Sequence, residues 1–373
     1  LNIQRHGCYI MMMYFEYCNF TKSCINKIQK SIGTIDICSV IERLIEAMNN
    51  HTDNIDIQSC ACKVLIDISL SFGVKQDHIA SLGGLQCIIA AMNNHKQDGN
   101  VQKYACKILS WMCYDDKSTY QVASLGGMKC IVVAMSNHIN NVAVQENACT
   151  ALKYMCQSDK DGRIHHQLGG IKYIIAAMKN HSNNGTIQKD ACEALMHASW
   201  RDKAIRQAVK KLGGITCVIA AMNNHINNCS SIQKNACKAL NSMCWNDKTA
   251  QDRIAHLGGL KCIIAAMNKH VEDGNVQKYA CEALATICHD NKAIQDRFAT
   301  LGGIQCILSA LQHESDIFLH EHVFKVLNNV YCDEMTVKQA ILVMIKFPNK
   351  ANIQAFVQKL LYKSGLNTSK YFW

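Results

Sequence analysis

The sequence predicts an all-α solenoid of about eight three-helix repeats, and three observations carry that expectation. A Leu-Gly-Gly block recurs at Leu82, Leu125, Leu168, Leu212, Leu257 and Leu301, at intervals of 43, 43, 44, 45 and 44 residues. Each interval repeats one pattern: a short polar stretch, a mostly apolar stretch, and a longer segment with apolar residues at helical spacing. The 373 residues contain a single proline, Pro348, so little interrupts helix. In such an array the core grows by stacking neighbours, and a chain of this length need not divide into globular domains.

The unit from Asp116 to Cys156 shows each element in turn. Asp116 reads as the N-cap of a first helix over Lys117 to Ser124. Leu125-Gly126-Gly127 ends it, the glycines supplying left-handed backbone and a close helix approach. The second helix spans Met128 to Asn137. Its apolar residues, among them Met128, Cys130, Ile131, Val132, Val133, Ala134 and Met135, lie all round it, so it should be buried on most sides. A polar turn over His138 to Asn141 leads to the third helix, about Val144 to Cys156. In the preceding unit, Ala105, Cys106, Leu109, Met112 and Cys113 share the predicted core side of the third helix. Tyr104, Lys107 and Trp111 take the opposite side.

These residues resemble armadillo repeats. Gly258-Gly259-Leu260 followed by Val276-Gln277-Lys278-Tyr279-Ala280-Cys281-Glu282-Ala283-Leu284 matches that family's Gly-Gly-Ile corner, Val-Gln and Ala-x-x-Ala-Leu pattern, and five other units match in register. HEAT units lack the glycine corner, and TPR and ankyrin periods are shorter. Units ending Ala-Met-x-x-His are most similar to armadillo arrays of protists and of large multidomain kinases. The resemblance implies a right-handed superhelix whose third helices line a concave groove. It divides the chain into an N-terminal extension with room for a partial first repeat (1–33), the array (34–332), an atypical capping repeat (333–365) and a tail (366–373). The first unit has Ile57-Gln58 but no glycine corner, and its first helix is expected within Cys24 to Ile32. Met335 to Lys363 keeps Ile353-Gln354, again without a glycine pair. Atypical ends suit units that cap a stack.

The 22 cysteines mostly fall on predicted helix faces, with pairs such as Cys106/Cys113 and Cys237/Cys244 seven residues apart. Seven helical residues rise about 10 Å, beyond a disulfide's reach. They read as small apolar core residues in a reducing compartment, hence a cytoplasmic or nuclear chain, or both. The formal charge of +10 is not gathered into a basic arm. The apolar run from Cys8 to Phe15 is too short to cross a bilayer, and no membrane insertion is expected. The start at Leu1 suggests a piece of a longer protein, while the cap-like end before Leu366 to Trp373 speaks against a further domain.

Candidate chemistry is sparse. His51, His95, His138, His181, His225, His270 and His313 each close a second helix. Neighbouring copies should lie about 10 Å apart, whereas zinc ligands sit about 2 Å from one ion, so the histidines read as caps for free carbonyls. Cys60 and Cys62 point to different helix faces. No phosphate loop, Gly-x-Ser-x-Gly or His-Glu-x-x-His occurs, and Asp202-Lys203 and Asp247-Lys248 read as helix starts. No enzyme activity, cofactor, metal or small-molecule substrate is expected.

What remains is the exposed side of the third helices. Nuclear-import adaptors of the armadillo family carry Trp and, four residues on, Asn there. The equivalent positions here are Lys63, Lys107, Thr150, Glu193, Lys238, Glu282 and Lys325, then Asp67, Trp111, Tyr154, His197, Ser242, Thr286 and Asn329. Only Asn329 keeps half the pair, which counts against a receptor for basic nuclear-localisation peptides. The predicted partner groove comprises Tyr104, Lys107, Trp111, Asn147, Thr150, Tyr154, Asp190, Glu193, His197, Trp200, Asn235, Lys238, Ser242, Trp245, Tyr279, Glu282, Lys325 and Asn329. Lys103, Lys189, Lys234 and Lys278 would form a discontinuous basic ridge, or simply a solvated face. Trp200 and Trp245, with Tyr114 near Tyr154, either meet a partner or pack on the next unit. The groove varies from unit to unit while the core is nearly copied, as expected of a surface fitted to one partner and equally of drift at solvated positions. Three readings stand: a protein-binding scaffold for an extended acidic or apolar segment, a regulatory region of a larger enzyme such as a kinase or ubiquitin ligase, and a nucleic-acid binder, which the scattered charge disfavours.

Overall fold

In the computed structural model, residues 37–158, 169–227, 229–312, 317–330, 337–338, 341–342, 345 and 351–364 are described. The helix expected in Cys24 to Ile32, the histidine at 313 and the tail at 366–373 lie outside them. The described residues are helical, with short turns and no strand. They fall into two compact units that divide between Asn180 and His181.

The first unit contains α1 (Ile37–Asn50), α2 (Ile55–Phe72), α3 (Gln76–Ser81), α4 (Gly84–Asn94), α5 (Gly99–Met112), α6 (Asp116–Ser124), α7 (Gly127–Asn137), α8 (Val142–Ser158) and α9 (Gly170–Asn180). The third helices α2, α5 and α8 pack side by side, the second helices α1, α4, α7 and α9 form a parallel row, and the short first helices α3 and α6 join them at corners. The second unit repeats this plan. It contains α10 (Gly185–Arg201), α11 (Lys203–Leu212), α12 (Gly214–Asn224), α13 (Ser230–Cys244), α14 (Lys248–His256), α15 (Gly259–Lys269), α16 (Gly274–Ile287), α17 (Lys292–Thr300) and α18 (Gly303–Ser309), then a 3-10 turn, Ala310–Gln312. α19 (Ile317–Asn329) and α20 (Ala351–Ser364) complete it. Its third-helix row is α10, α13, α16, α19 and α20.

The glycine corner has two separable causes. Gly83, Gly126, Gly169, Gly213, Gly258 and Gly302 all adopt left-handed φ, from 58° to 87°, where a side chain is strained. The second glycine is needed for space. A Cβ on Gly127 would lie 2.5 Å from the Val122 side chain and 2.8 Å from its carbonyl oxygen, and one on Gly84 would lie 2.6 Å from Ile79.

First helices open on Asp115, Asp202, Asp247 and Asn291, and third helices on Asn54, Asp98, Asn184 and Asp273, whose side chains accept from backbone N–H groups. The cap of α6 is thus Asp115 rather than Asp116, because Asp115 has the extended backbone that lets its carboxylate reach Lys117 and Ser118 N–H. α13 departs from the rule: Cys229 stands at its N-cap and makes no capping bond.

In α2, α5, α8 and α16 a buried glutamine ties the third helix to the second helix. Gln58, Gln102, Gln145 and Gln277 each donate from Nε2 to two carbonyls, those of Met48 and His51, Met92 and His95, Met135 and His138, and Met267 and His270, at 2.8–3.0 Å. These carbonyls at the helix C-terminus would otherwise be stranded. The histidines, expected to cap their own helix, instead reach the neighbouring repeat. Nε2 of His95, His138, His225 and His270 meets the carbonyl of Thr52, Lys96, Ser182 and Ile226 at 2.7–3.0 Å. The glutamine has already satisfied the local carbonyls, so the imidazole is left for the next turn along.

The predicted core side chains Ala105, Cys106, Leu109, Met112 and Cys113 are fully buried. Eighteen cysteines are described, all free thiols, and fifteen are buried. Burial pushes the Cys62 and Cys288 thiols up to about 12. Within α7, Val132 and Val133 keep partial exposure while the other apolar positions are buried.

Candidate functional site

A third helix can offer its outer side to a partner because its inner side is consumed by the core and by the glutamine tie. In the first unit Tyr104, Lys107, Trp111, Asn147, Thr150 and Tyr154 all lie at partly exposed positions of α5 and α8. Lys103 donates to Asn100 at 3.3 Å and sits 4.1 Å above the Tyr104 ring. Lys107 lies 4.0 Å from Asp67 of α2. Burial pushes the Asp67 carboxyl up, against the pull of Lys107 and Lys63. Asn147 donates to the Lys103 carbonyl, tying one third helix to the previous one. Tyr114, exposed to 71%, packs edge-on against Tyr154 with ring centres 5.5 Å apart.

In the second unit Glu193, His197, Lys238, Tyr279, Glu282 and Asn329 are partly exposed, and Lys325 is exposed. The ridge lysines Lys189, Lys234 and Lys278 are half-buried. Three predicted groove residues turn inward. Asp190 is buried 3.6 Å from the Lys189 ammonium. Asn235 is buried and donates to the Lys189 carbonyl and to Glu193, both at 3.3 Å. Ser242 is fully buried and donates to the Ala239 carbonyl, so it belongs to the packing and not to the lining. Its short side chain bonds its own helix and lets the neighbouring helix close over it.

Two features stand out on this face. Trp200, at the end of α10, and Trp245, closing α13, pack ring on ring at 5.7 Å with a tilt of 48°, and each remains exposed to 53%. They do pack on a neighbouring repeat, yet half of each indole stays in solvent. The second feature centres on Glu282. Asn241 donates to its carboxylate at 2.9 Å, and Lys238, Lys325 and Lys278 act on it from three consecutive third helices. Burial pushes the Glu282 carboxyl above its ordinary value despite those three cations. Lys238 also sits 4.7 Å over the Tyr279 ring.

Sequence reasoning placed Tyr114 beside Tyr154 but left it out of the predicted groove, although it lies seven residues after Lys107, the register that Trp200 and Trp245 hold after Glu193 and Lys238. It also missed Asn241, a buried position that an exposure pattern does not flag. Among the described residues no three His, Cys, Asp or Glu side chains converge to hold a metal ion, and no helix is long and apolar enough to cross a membrane.

Comparison with curated proteins gives no match. Among solved structures, an engineered protein aligns with a TM-score of 0.57 at 17% identity, covering 93% of this chain and 100% of its own. A designed armadillo repeat protein aligns at 0.56 and 15%, covering 66% and 100%. Another designed armadillo repeat protein, in complex with the peptide (KR)4, aligns at 0.55 and 14%, covering 66% and 99%. These likenesses show the armadillo solenoid fold. The sequence profile of the LRRK2 ARM repeat matches residues 122–363, well over half of the sequence. With its glycine corners, its glutamine ties and this match, the chain belongs to the LRRK2 ARM repeat family.

Proposed function

We propose that the chain is a non-catalytic protein-interaction scaffold that holds an extended partner segment against its third-helix face. The observation that carries this reading is the half-exposed Trp200–Trp245 pair, a large apolar surface left in solvent. The Tyr114–Tyr154 contact supplies a second aromatic surface in the other unit. A designed armadillo repeat protein that carries a peptide supports the mode of binding. That peptide is basic, whereas here three lysines face Glu282, so the segment suited to this face is acidic with apolar anchors. A rigid stack of helices lowers the ordering penalty on its own side of such a complex.

The test is capture from a lysate of the source, comparing the native chain with a Trp111→Ala/Tyr154→Ala variant. Both rings are partly exposed, so the variant should lose its partner while its melting temperature stays close to the parent's. Equal capture by the two proteins would remove these rings from the binding face. Early melting of the variant would assign them to the packing.

A further inference from the structure

We infer that the Trp200–Trp245 pair and the adjoining helix α11 form one docking surface for an acidic segment of a partner protein. An aromatic or aliphatic residue of that segment rests on the indoles, and two or more Asp or Glu lie along α11 within about five positions of it. The inference rests on the scaffold reading and specifies its partner.

The indoles and the helix are held together. Arg206 of α11 donates from Nη1 to the carbonyls of Ser199 and Trp200, at 2.9 and 3.5 Å. Lys210 and Gln207 donate to the Asp247 carboxylate at 2.8 and 3.0 Å, and Asp247 lies two residues beyond Trp245. α11 thus fixes both turns that carry the indoles. Each indole packs on the other and is still exposed to 53%, so the platform is held in place without being covered.

In charge, α11 departs from its siblings. Its cations are Lys203, Arg206, Lys210 and Lys211, and it holds no carboxylate. The other described first helices each contain one, at Asp77, Asp116, Asp252 and Asp296. Gln207 stands where α14 has Asp252 and α17 has Asp296. The carboxylates nearest to α11 are already engaged. Asp202 accepts from the Ala204 and Ile205 N–H groups, Asp247 accepts from Lys210, and Asp252 accepts from Asn291. Lys203 and Lys211 are exposed and make no ion pair among the described residues. Positive charge therefore runs the length of one helix, about 15 Å, and stops there. A nucleic acid needs cations across several repeats, whereas α14 and α17 set Asp252 and Asp296 among theirs. A stretch of about four or five extended acidic residues matches α11 in length and sign. The indoles beside it supply the apolar contact that a purely acidic chain would leave unused.

Selection on the full chain from a phage-displayed library of random twelve-residue peptides tests this. Enriched peptides should combine an aromatic or aliphatic residue with two or more Asp or Glu within about five positions. Against a selected peptide, Lys203→Glu/Lys211→Glu should weaken binding by about tenfold, and Lys203→Gln/Lys211→Gln should weaken it less. Lys292→Glu/Arg297→Glu makes the same change in net charge on α17 and should leave binding within about twofold. Trp200→Ala/Trp245→Ala should also cost about tenfold, and reselection on that variant should keep the acids and lose the apolar residue. All the substituted side chains are exposed, and thermal melting checks that each variant folds. Equal losses from the α11 and α17 reversals would trace the effect to overall charge and overturn α11 as the site. Selected peptides without acids would overturn it too and leave the scaffold standing. Binding of an oligo-dT strand that the α11 reversal abolishes, with no acidic peptide enriched, would assign the surface to nucleic acid instead. Failure to enrich any peptide, together with lysate capture that ignores face substitutions, would overturn both readings.

Discussion

At the scale of single residues, the side chains that matter most for the fold are polar. Gln102 is buried, and its amide is shared between the Met92 and His95 carbonyls. Replacing it by Ala strands two acceptors and should lower stability by about 2–3 kcal/mol, read as a shift in the urea midpoint. The sequence displays this glutamine in most units, α19 being without one, but not its purpose, because its acceptors are backbone carbonyls, which leave no mark in a sequence. The histidines were misread for the same reason: their acceptors lie a whole repeat away. A second prediction concerns pH. Desolvation pushes the Asp247 carboxyl up, but bonds from Lys210 at 2.8 Å, Thr249 and the Ala250 N–H outweigh it and hold the carboxyl well below its ordinary value. A depressed carboxyl adds stability above its unfolded pKa and loses it as pH falls toward the folded one. Asp247→Asn should therefore be less stable than the parent at pH 7, with the gap narrowing below about pH 4. A gap that stays constant with pH would assign the loss to the cap alone.

At the scale of elements, the helices were legible because their signals are local. Periodicity gave the buried side of α5, and the glycine pairs gave the corners. The ends shifted by a residue or two: α6 is capped by Asp115, and α8 runs from Val142 to Ser158, longer than the apolar pattern implied. Polar residues at a helix end follow no period, so the pattern stops before the helix does. α13 offers a direct check. Its siblings open on Asn or Asp, while Cys229 contributes no bond to the free N–H groups. Cys229→Asp should raise stability by about 1 kcal/mol, seen as a higher melting temperature. The opposite sign would mean that the Cys229 contact with Ser231, at 3.0 Å, outweighs a conventional cap. The outward faces were legible only as a class of position. That Trp200 meets Trp245 and that Ser242 is sealed depends on how neighbouring repeats pack, which a single unit's pattern does not contain.

For the whole molecule, the repeat period was the strongest signal in the sequence, since a copied unit announces itself regardless of what each residue does. The same repetition sets the chemistry of the thiols. Fifteen of the eighteen described cysteines are buried, and Cys38, Cys60 and Cys229 are the ones with exposure. Burial keeps the Cys62 thiol protonated, with a pKa near 12. Alkylation of the native chain followed by peptide mass spectrometry should label those three promptly and the fifteen only after denaturation. Prompt labelling of Cys106 or Cys192 would show that the stack opens readily at that repeat.

The histidine rungs carry a further consequence. Their acceptors are the main-chain oxygens of a threonine, a lysine, a serine and an isoleucine. A joint made to an atom that every amino acid possesses needs no matched substitution on the other side. Copies can therefore be gained, lost or shuffled by unequal crossing-over, and each junction will still close, leaving the outward side chains free to diverge.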